Sequence, residues 1–225
     1  MTDDYWLEAK NISCFKNGYE VVKDLNLKLK YCENVILIGP NGSGKSSLLE
    51  LINRNIYPVI KKNTVFKIFN KDLINIWELR KKISTVNNDI STRINPNLKV
   101  IDLVSSGLYG KYCKIPFKTE SDISIVENLL KEMSITHLSQ KYFFHLSEGE
   151  KQIALIARAL IKKPEILILD EAFSNLDKIS RKLISEKLNK KEITIINSTH
   201  STIDLDYDNH FSIEISQGQR KIVER

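Results

Sequence analysis

The stretch GPNGSGKSS at positions 39–47 follows directly on the apolar run Val35–Ile38. It has the spacing G-x-x-x-x-G-K-[ST], with Gly39, Gly44, Lys45 and Ser46 at the defined positions. Glycines allow successive backbone N–H groups to turn inward and form a concave site for anions. A helix that begins at Lys45 adds the partial positive charge of its N-terminus. The alternative is an ordinary strand-to-helix turn, but the flanking strand and helix are the context that a phosphate-binding loop requires.

The loop therefore predicts a nucleotide site, with ATP and Mg²⁺ as its ligands. Lys45 is expected to reach the β- and γ-phosphates, and the Ser46 hydroxyl to bind Mg²⁺. The residues predicted to contact the nucleotide here are Gly39, Asn41, Gly42, Ser43, Gly44, Lys45, Ser46 and Ser47.

Composition limits the class of protein. The chain has 225 residues, 42% of them hydrophobic, which suits one domain or two subdomains around a shared site. No apolar run approaches the ~18 residues of a membrane span, and the acidic start MTDDYWLEAK does not resemble a signal peptide, so we expect a cytosolic protein.

The three cysteines are far apart and predict no disulfide or zinc site. The net charge of +6 is spread over small clusters, which favours a solvated surface over a nucleic-acid partner.

The apolar patterns predict an α/β fold. Alternation over 7–29 around a turn at 16–18 indicates an antiparallel strand pair, and helical periodicity from 89 to 162 indicates an inserted helical subdomain. We predict a P-loop NTPase core with a mostly parallel sheet, an antiparallel β subdomain and that insertion. The single domain 1–225 would comprise a core of 1–87 and 163–225 and a helical subdomain of 88–162. The strands are predicted at 35–38, 64–69, 83–86, 166–169 and 193–197, and the helices at 48–52, 100–106, 122–133 and 148–161.

Two carboxylates follow the apolar strand ILIL at 166–169. The carboxyl edge of a parallel sheet is where such folds bind ligands. We predict that Asp170 holds Mg²⁺ and that Glu171 orients the attacking water as general base. The alternative is an acidic pair that caps a helix after a core strand.

A second segment, LSEGEKQ at 146–152, precedes a strongly helical run. Ser147 and Glu150 have the spacing of a capping box, which predicts a well-formed helix N-terminus. We call residues 146–152 the signature segment.

The order of GPNGSGKSS, LSEGEKQIALIARAL, ILILDEAFSNLD and STH resembles that of the ATP-binding-cassette (ABC) ATPases, from about residue 7 to about residue 218. The resemblance implies a head-to-tail dimer that sandwiches two ATP molecules. Ser147 and Gly149 would then contact the γ-phosphate held by the opposite subunit. Asp177 would lie in the loop at the dimer seam, and His200 would sense the γ-phosphate.

Other positions are assigned by the same resemblance. Phe15 would stack on adenine, with Tyr19 as the second candidate and a core role for Phe15 as the alternative. Asn88 stands where the family usually has a glutamine that contacts the metal and the reacting water. The chain also departs from the family at Glu148 and Cys32, where glycine is usual, at Glu150, where glutamine is usual, and at Ala172, where proline is common. We expect Glu150 to turn back onto the helix N-terminus, whereas no partner for Glu148 is evident.

The resemblance implies an ATPase subunit of an ABC transporter, of importer type, on the cytoplasmic face of the membrane. Its expected partners are a second identical or different ATPase subunit, separate integral membrane permease subunits that dock on 88–114, and a solute-binding protein. Residues 99–107 resemble metal-chelate and molybdate-type importers. The alternatives are an ABC ATPase acting on DNA or on the ribosome and a small-molecule kinase. DNA-repair members of the family carry long coiled coils, but this sequence has no sustained heptads. Ribosome-acting members usually have two cassettes in one chain, and this sequence has one. A small-molecule kinase has no use for the signature segment.

Overall fold

The computed structural model describes residues 5–113, 119–199, 208–216 and 219–224. The strands within these ranges are β1 (Tyr5–Lys16), β2 (Tyr19–Lys30), β3 (Val35–Ile38), β4 (Pro58–Val59), β5 (Val65–Ile68), β6 (Ile83–Val86), β7 (Ile166–Asp170), β8 (Thr194–Thr199), β9 (Asn209–Ser216) and β10 (Gln219–Glu224). The α-helices are α1 (Lys45–Ile52), α2 (Ile76–Lys82), α3 (Asn88–Arg93), α4 (Val100–Ser106), α5 (Glu120–Glu132), α6 (Glu148–Leu160) and α7 (Lys178–Asn189).

The smaller sheet is antiparallel and is built around β1, which pairs with β2, β4 and β5. Strands β1 and β2 form the predicted hairpin, and only Asn17 and Gly18 separate them. Both residues have positive φ, 53° and 81°. Asn-Gly is the favoured pair for a two-residue turn of this hand, because asparagine and glycine tolerate the left-handed region best.

The larger sheet has the order β10-β9-β3-β8-β7-β6 and is parallel except for the pair β9 and β10. Strand β8 lies between β3, which leads into the phosphate loop, and β7, which ends in Asp170. The carboxyl ends of three parallel strands therefore meet at one edge of the sheet. This strand order brings the two predicted parts of the nucleotide site together, and it confirms the predicted mixed α/β fold.

Two hydrophobic cores lie on opposite faces of this sheet. On β7, Ile166 and Ile168 belong to the core shared with the small sheet and α1. Leu167 and Leu169 belong to the core shared with the helices α4–α7. Alternate side chains of a strand point to opposite faces, so one continuous apolar strand serves both cores.

The structure also differs from the sequence-based expectations. Helix α5 begins two residues early, because Thr119 caps it and Asp122 returns the hydrogen bond to the Thr119 N–H. Three helices, α2, α3 and α7, and the last strand pair were not predicted. Helices α2 and α3 span only seven and six residues, too short for a periodic pattern to stand out. No helix in the described ranges combines the length and the apolar character needed to cross a membrane.

Candidate nucleotide-binding site

The phosphate loop turns tightly after β3 and delivers the chain into α1. Gly42 and Gly44 have φ values of 74° and 105°, in the left-handed region where side chains are disfavoured. The Lys45 side chain lies in the loop, only 4% exposed. Its ammonium group donates to the carbonyl oxygens of Gly39 at 2.7 Å and Pro40 at 3.1 Å. The sequence therefore folds into a curled loop with a cation held against its backbone.

The polar groups of this loop fit a polyphosphate. The Ser43 hydroxyl is buried, and no described residue forms a hydrogen bond with it. Burial lowers the pKa of Lys45, while the nearby carboxylates of Glu171 and Asp170 act in the opposite direction. A buried donor without a partner and a desolvated cation are both stabilised by an anionic ligand.

The carboxylate pair is positioned by β8. Asp170 and Ser198 are partners in the parallel register, and the Ser198 hydroxyl donates to Asp170 Oδ1. Glu171 follows in the left-handed conformation with φ of 56°. Its N–H donates to the Ser198 carbonyl at 3.1 Å, and its own carbonyl accepts from the Ser174 hydroxyl at 2.8 Å. These bonds hold a conformation that a residue with a side chain rarely adopts, as often occurs at functional sites.

One cavity of about 670 Å³ brings two of the three predicted metal ligands and the predicted base together. Ser46, Asp170 and Glu171 line it. Ser46 is exposed, so its hydroxyl is accessible to a ligand. The lining of the cavity therefore includes a hydroxyl and two carboxylates of the kind that bind Mg²⁺ together with substrate phosphates.

Two predicted site residues cannot be placed in this cavity. The backbone of Asn88 begins α3, directly after its N-cap Asn87, but the Asn88 side chain lies outside the described part. His200 also lies outside the described residues. Asn87 and Asp89, on either side of Asn88, both line the cavity.

The signature segment forms the predicted capping box. The Glu150 N–H donates to the Ser147 hydroxyl at 3.2 Å, and the Ser147 N–H donates to the Glu150 carboxylate at 2.8 Å. Lys141 pairs with the same carboxylate at 3.1 Å. The Ser147 N–H is the main cause that lowers the pKa of Glu150, and Lys141 adds to it. The Glu150 side chain thus caps the N-terminus of α6.

Glu148 does have a partner, contrary to the expectation from sequence. Lys151 Nζ lies 2.6 Å from Glu148 Oε1, one helical turn away. The Glu148 side chain is nevertheless 67% exposed, whereas that of Lys151 is 22% exposed. The ion pair holds the Glu148 carboxylate against the helix surface, and the Lys151 ammonium partly neutralises its charge. The i,i+3 spacing of Glu148 and Lys151 is the sequence signal that indicates this pair.

The signature segment contacts the loop that contains Asp177. A Cβ atom added at Gly149 would lie 3.4 Å from the carbonyl oxygen of Asn175. The Asp177 carboxylate accepts from the N–H groups of Ile179 and Ser180, at 2.9 and 3.0 Å, and so caps α7. The N–H and the hydroxyl of Ser180 are the main causes that hold the pKa of Asp177 below its ordinary value. The structure thus gives Asp177 a helix-capping role.

The two aromatic candidates for the adenine both lie at the tip of the β1–β2 hairpin. Phe15 is 51% exposed and Tyr19 is 76% exposed. The alternative that Phe15 is a core residue is therefore wrong.

The comparisons with known proteins agree with this geometry. The family model described as ABC transporter matches residues 22–174, from β2 to just beyond Glu171. The chain belongs to this family. The uncharacterised ABC transporter ATP-binding protein YmeB of Lactococcus lactis is 37% identical over 212 residues, which are 93% of this chain and 79% of that protein. The spermidine/putrescine import ATP-binding protein PotA of Borrelia garinii is 31% identical over 207 residues, 88% of this chain and 56% of the relative.

Solved ABC ATPases share the fold over almost the whole chain. CbiO1 from Clostridium perfringens, described as part of the ABC transporter complex cbiONQ, superposes with a TM-score of 0.79 at 29% identity, over 99% of this chain and 88% of that one. The ATP-binding cassette MJ0796, a dimer in a post-hydrolysis state with ADP and Pi, gives 0.77 at 25% identity, over 97% of both chains. ABC ATPase cassettes thus bind adenine nucleotides, form dimers and serve in transporter complexes. This chain is an ABC transporter ATP-binding subunit.

Proposed function

We propose that the chain binds and hydrolyses ATP with Mg²⁺ and powers an importer-type transporter through separate membrane subunits. The observation that carries the proposal is the common cavity at the end of the phosphate loop. Ser46, Asp170 and Glu171 reach it from α1 and β7, which are distant in sequence but adjacent in the fold.

Each residue of the proposed catalytic site has one task in the proposed reaction. Bound ATP supplies the phosphoryl group, and Mg²⁺ neutralises charge on the phosphates. Lys45 binds the β- and γ-phosphates, while Ser46 and Asp170 hold the metal. The Ser198 hydroxyl orients Asp170 through its hydrogen bond. Glu171 orients the attacking water and accepts its proton.

The proposed dimer completes the site. Ser147 and Gly149 of one subunit bind the γ-phosphate held by the other, while Phe15 stacks on the adenine. Asp177 lines the seam, and Asn88 and His200 act on the metal and the γ-phosphate. The capping box supports this role for the signature segment, because it gives α6 a fixed N-terminus with partial positive charge. The second subunit is a copy of this chain or a different ATPase.

The partners proposed for transport follow from the family. The chain would sit on the cytoplasmic face of the membrane, bound to permease subunits, and would cooperate with a solute-binding protein. PotA, an import protein by its name, supports the importer direction. The alternative of an ATPase acting on DNA or the ribosome is not favoured by the relatives.

Isolation from the native membrane tests this assignment. A tagged chain, extracted with mild detergent, should retain an integral membrane protein at fixed stoichiometry, and a Lys45→Ala chain serves as the nucleotide-free control. Recovery of the chain with DNA or ribosomes and without a membrane subunit would support the alternative function instead.

A comparison of the two unusual glutamates tests the proposed trans contact. Glu148→Gly should lower the ATP concentration for half-maximal dimerisation severalfold at low salt and raise ATPase activity. A carboxylate about 4 Å from a phosphate charge costs on the order of 4 kcal/mol at an effective dielectric near 20, before screening, and exposure and Lys151 reduce this greatly. Lys151→Ala removes the cation that pairs with the Glu148 carboxylate, so it should raise the ATP concentration for half-maximal dimerisation. Sedimentation with increasing ATP, at low and high salt, measures the dimer fraction of both variants.

Glu150→Gln is the matched control. Its carboxylate already faces the Ser147 N–H, so the change should affect α6 stability and leave dimerisation nearly unaltered. The lowered pKa of Glu150 means that its stabilisation is fully present above the ordinary value of 4.5 and is lost as the pH falls through the folded-state pKa. Equal dimerisation of Glu148→Gly and the wild type at low salt would show that Glu148 is only a solvent-facing variant.

A further inference from the structure

The tip of the β1–β2 hairpin carries both aromatic candidates for the adenine, yet core packing does not hold it in place. Strand β1 is anchored as far as Cys14, which is fully buried and pairs with Pro58 of β4. Residues 15–20, which include Phe15 and Tyr19, are all exposed. A segment with so few buried contacts is held weakly, so an aromatic ring there needs another contact to keep a fixed position.

An ion pair joins this tip to α1. The Lys16 ammonium, next to Phe15 in the chain, lies 2.7 and 2.8 Å from the two carboxylate oxygens of Glu50. The Lys16 and Glu50 side chains are 42% and 31% exposed. The pair thus crosses from the antiparallel sheet to the helix that begins in the phosphate loop.

Glu50 lies on the same face of α1 as the proposed metal ligand Ser46. The two residues are four positions apart in one helix, so their side chains are stacked one turn apart. Both of them, together with Lys16, line the cavity that contains Asp170 and Glu171. The ion pair therefore anchors the hairpin tip one helical turn from the residue proposed to hold Mg²⁺.

We infer that Lys16 and Glu50 are positioning residues for the adenine, an inference that rests on the proposed ATP-binding function. A nucleotide whose phosphates are bound at the N-terminus of α1 holds its base at a set distance from that helix. Phe15 can stack on the base only if the hairpin tip keeps a matching distance, and the ion pair sets that distance. Fixing the tip in advance also reduces the entropy that is lost when the ring is immobilised on the base.

A neutral pair of substitutions separates this role from simple charge compensation, in which Lys16 only shields the phosphates from Glu50. Lys16→Met combined with Glu50→Gln removes the contact and keeps the summed charge of the two positions at zero. The affinity for ATP with Mg²⁺ should fall about threefold to fivefold, as for loss of an exposed ion pair. The affinity for inorganic tripolyphosphate, which has the phosphates but no base, should equal that of the wild type. Isothermal titration calorimetry measures both.

Two further double variants serve as rescue and control. Lys16→Glu with Glu50→Lys restores an ion pair of reversed polarity and should regain most of the lost ATP affinity. Lys28→Met with Glu8→Gln is the matched control, because this pair joins β1 to β2 at 2.7 Å with similar exposure but away from the hairpin tip. The control should bind ATP and tripolyphosphate like the wild type.

The Phe15→Ala background identifies the ring on which the pair acts. Phe15→Ala should itself weaken ATP binding about fivefold or more, because it removes the stacking on the base. Removal of the ion pair in that background should cause no further loss, since the two changes would interrupt the same interaction.

Several outcomes would overturn the positioning role and leave the proposed ATPase standing. They are unchanged ATP affinity of the neutral pair, an equal loss for ATP and tripolyphosphate, no recovery in the reversed pair, and losses that add to that of Phe15→Ala. If the wild-type chain binds no ATP, the proposed function and the positioning role both fall.

Discussion

Lys45→Ala is expected to weaken ATP binding about 100-fold. The ammonium group is buried in the phosphate loop, where it donates to two backbone carbonyls. On binding it would exchange those neutral acceptors for phosphate oxygens. Charge-assisted hydrogen bonds of this kind contribute about 1.5–3 kcal/mol each, and 1.4 kcal/mol corresponds to a factor of ten in affinity.

Titration with a fluorescent ATP analogue measures this loss. Lys163→Ala, which removes a surface cation of the same type, is the control and should bind ATP like the wild type. Lys45→Arg should fail to restore full affinity, because a planar guanidinium presents its donors in a different geometry from a compact ammonium group. Unchanged affinity in Lys45→Ala would contradict the assignment of the phosphate loop.

Glu171→Gln is expected to reduce hydrolysis by about 10³-fold while ATP still binds. The amide keeps the size of the side chain, and the backbone bonds to Ser198 and Ser174 hold its position, but it cannot accept the proton of the attacking water. General bases typically contribute factors of 10²–10⁴. ATP that binds without being hydrolysed should then trap the chain as a dimer.

Phosphate release and size-exclusion chromatography with ATP test the two parts of this expectation. Ser198→Ala is the matched variant, because it removes only the hydroxyl that orients Asp170. It should cause a smaller loss and no trapped dimer. Hydrolysis by Glu171→Gln at the wild-type rate would remove Glu171 from the proposed role.

Local features of the site were predictable because local chemistry determines them. Asn17-Gly18 defined the hairpin, since few residues accept positive φ at both turn positions. Gly44-Lys45 defined the phosphate loop, and Ser147 with Glu150 defined a helix start, each through contacts within a few residues. The αβ alternation predicted the mixed sheet, because buried parallel strands are apolar on both faces.

Features that depend on strand order or on distant packing were not predictable. Ser198 was visible only as a neighbour of His200, and its bond to Asp170 follows from the placement of β8 beside β7. The Arg158 environment joins residues 47 and 52 positions away in sequence, Lys111 and Ser106. In the sequence alone, Arg158 is only a charged residue that interrupts the apolar run 153–160. Its buried contacts become evident only from the packing of α6 in the fold.

The dependence of hydrolysis on chain concentration tests the central claim most directly. If each ATP is cleaved between the phosphate loop of one subunit and the signature segment of another, phosphate release per chain should rise with concentration and then level off. Mass determination under turnover should show dimer over the same range. Activity per chain that stays constant down to concentrations where the protein is monomeric would contradict the account, because a single chain would then hydrolyse ATP alone.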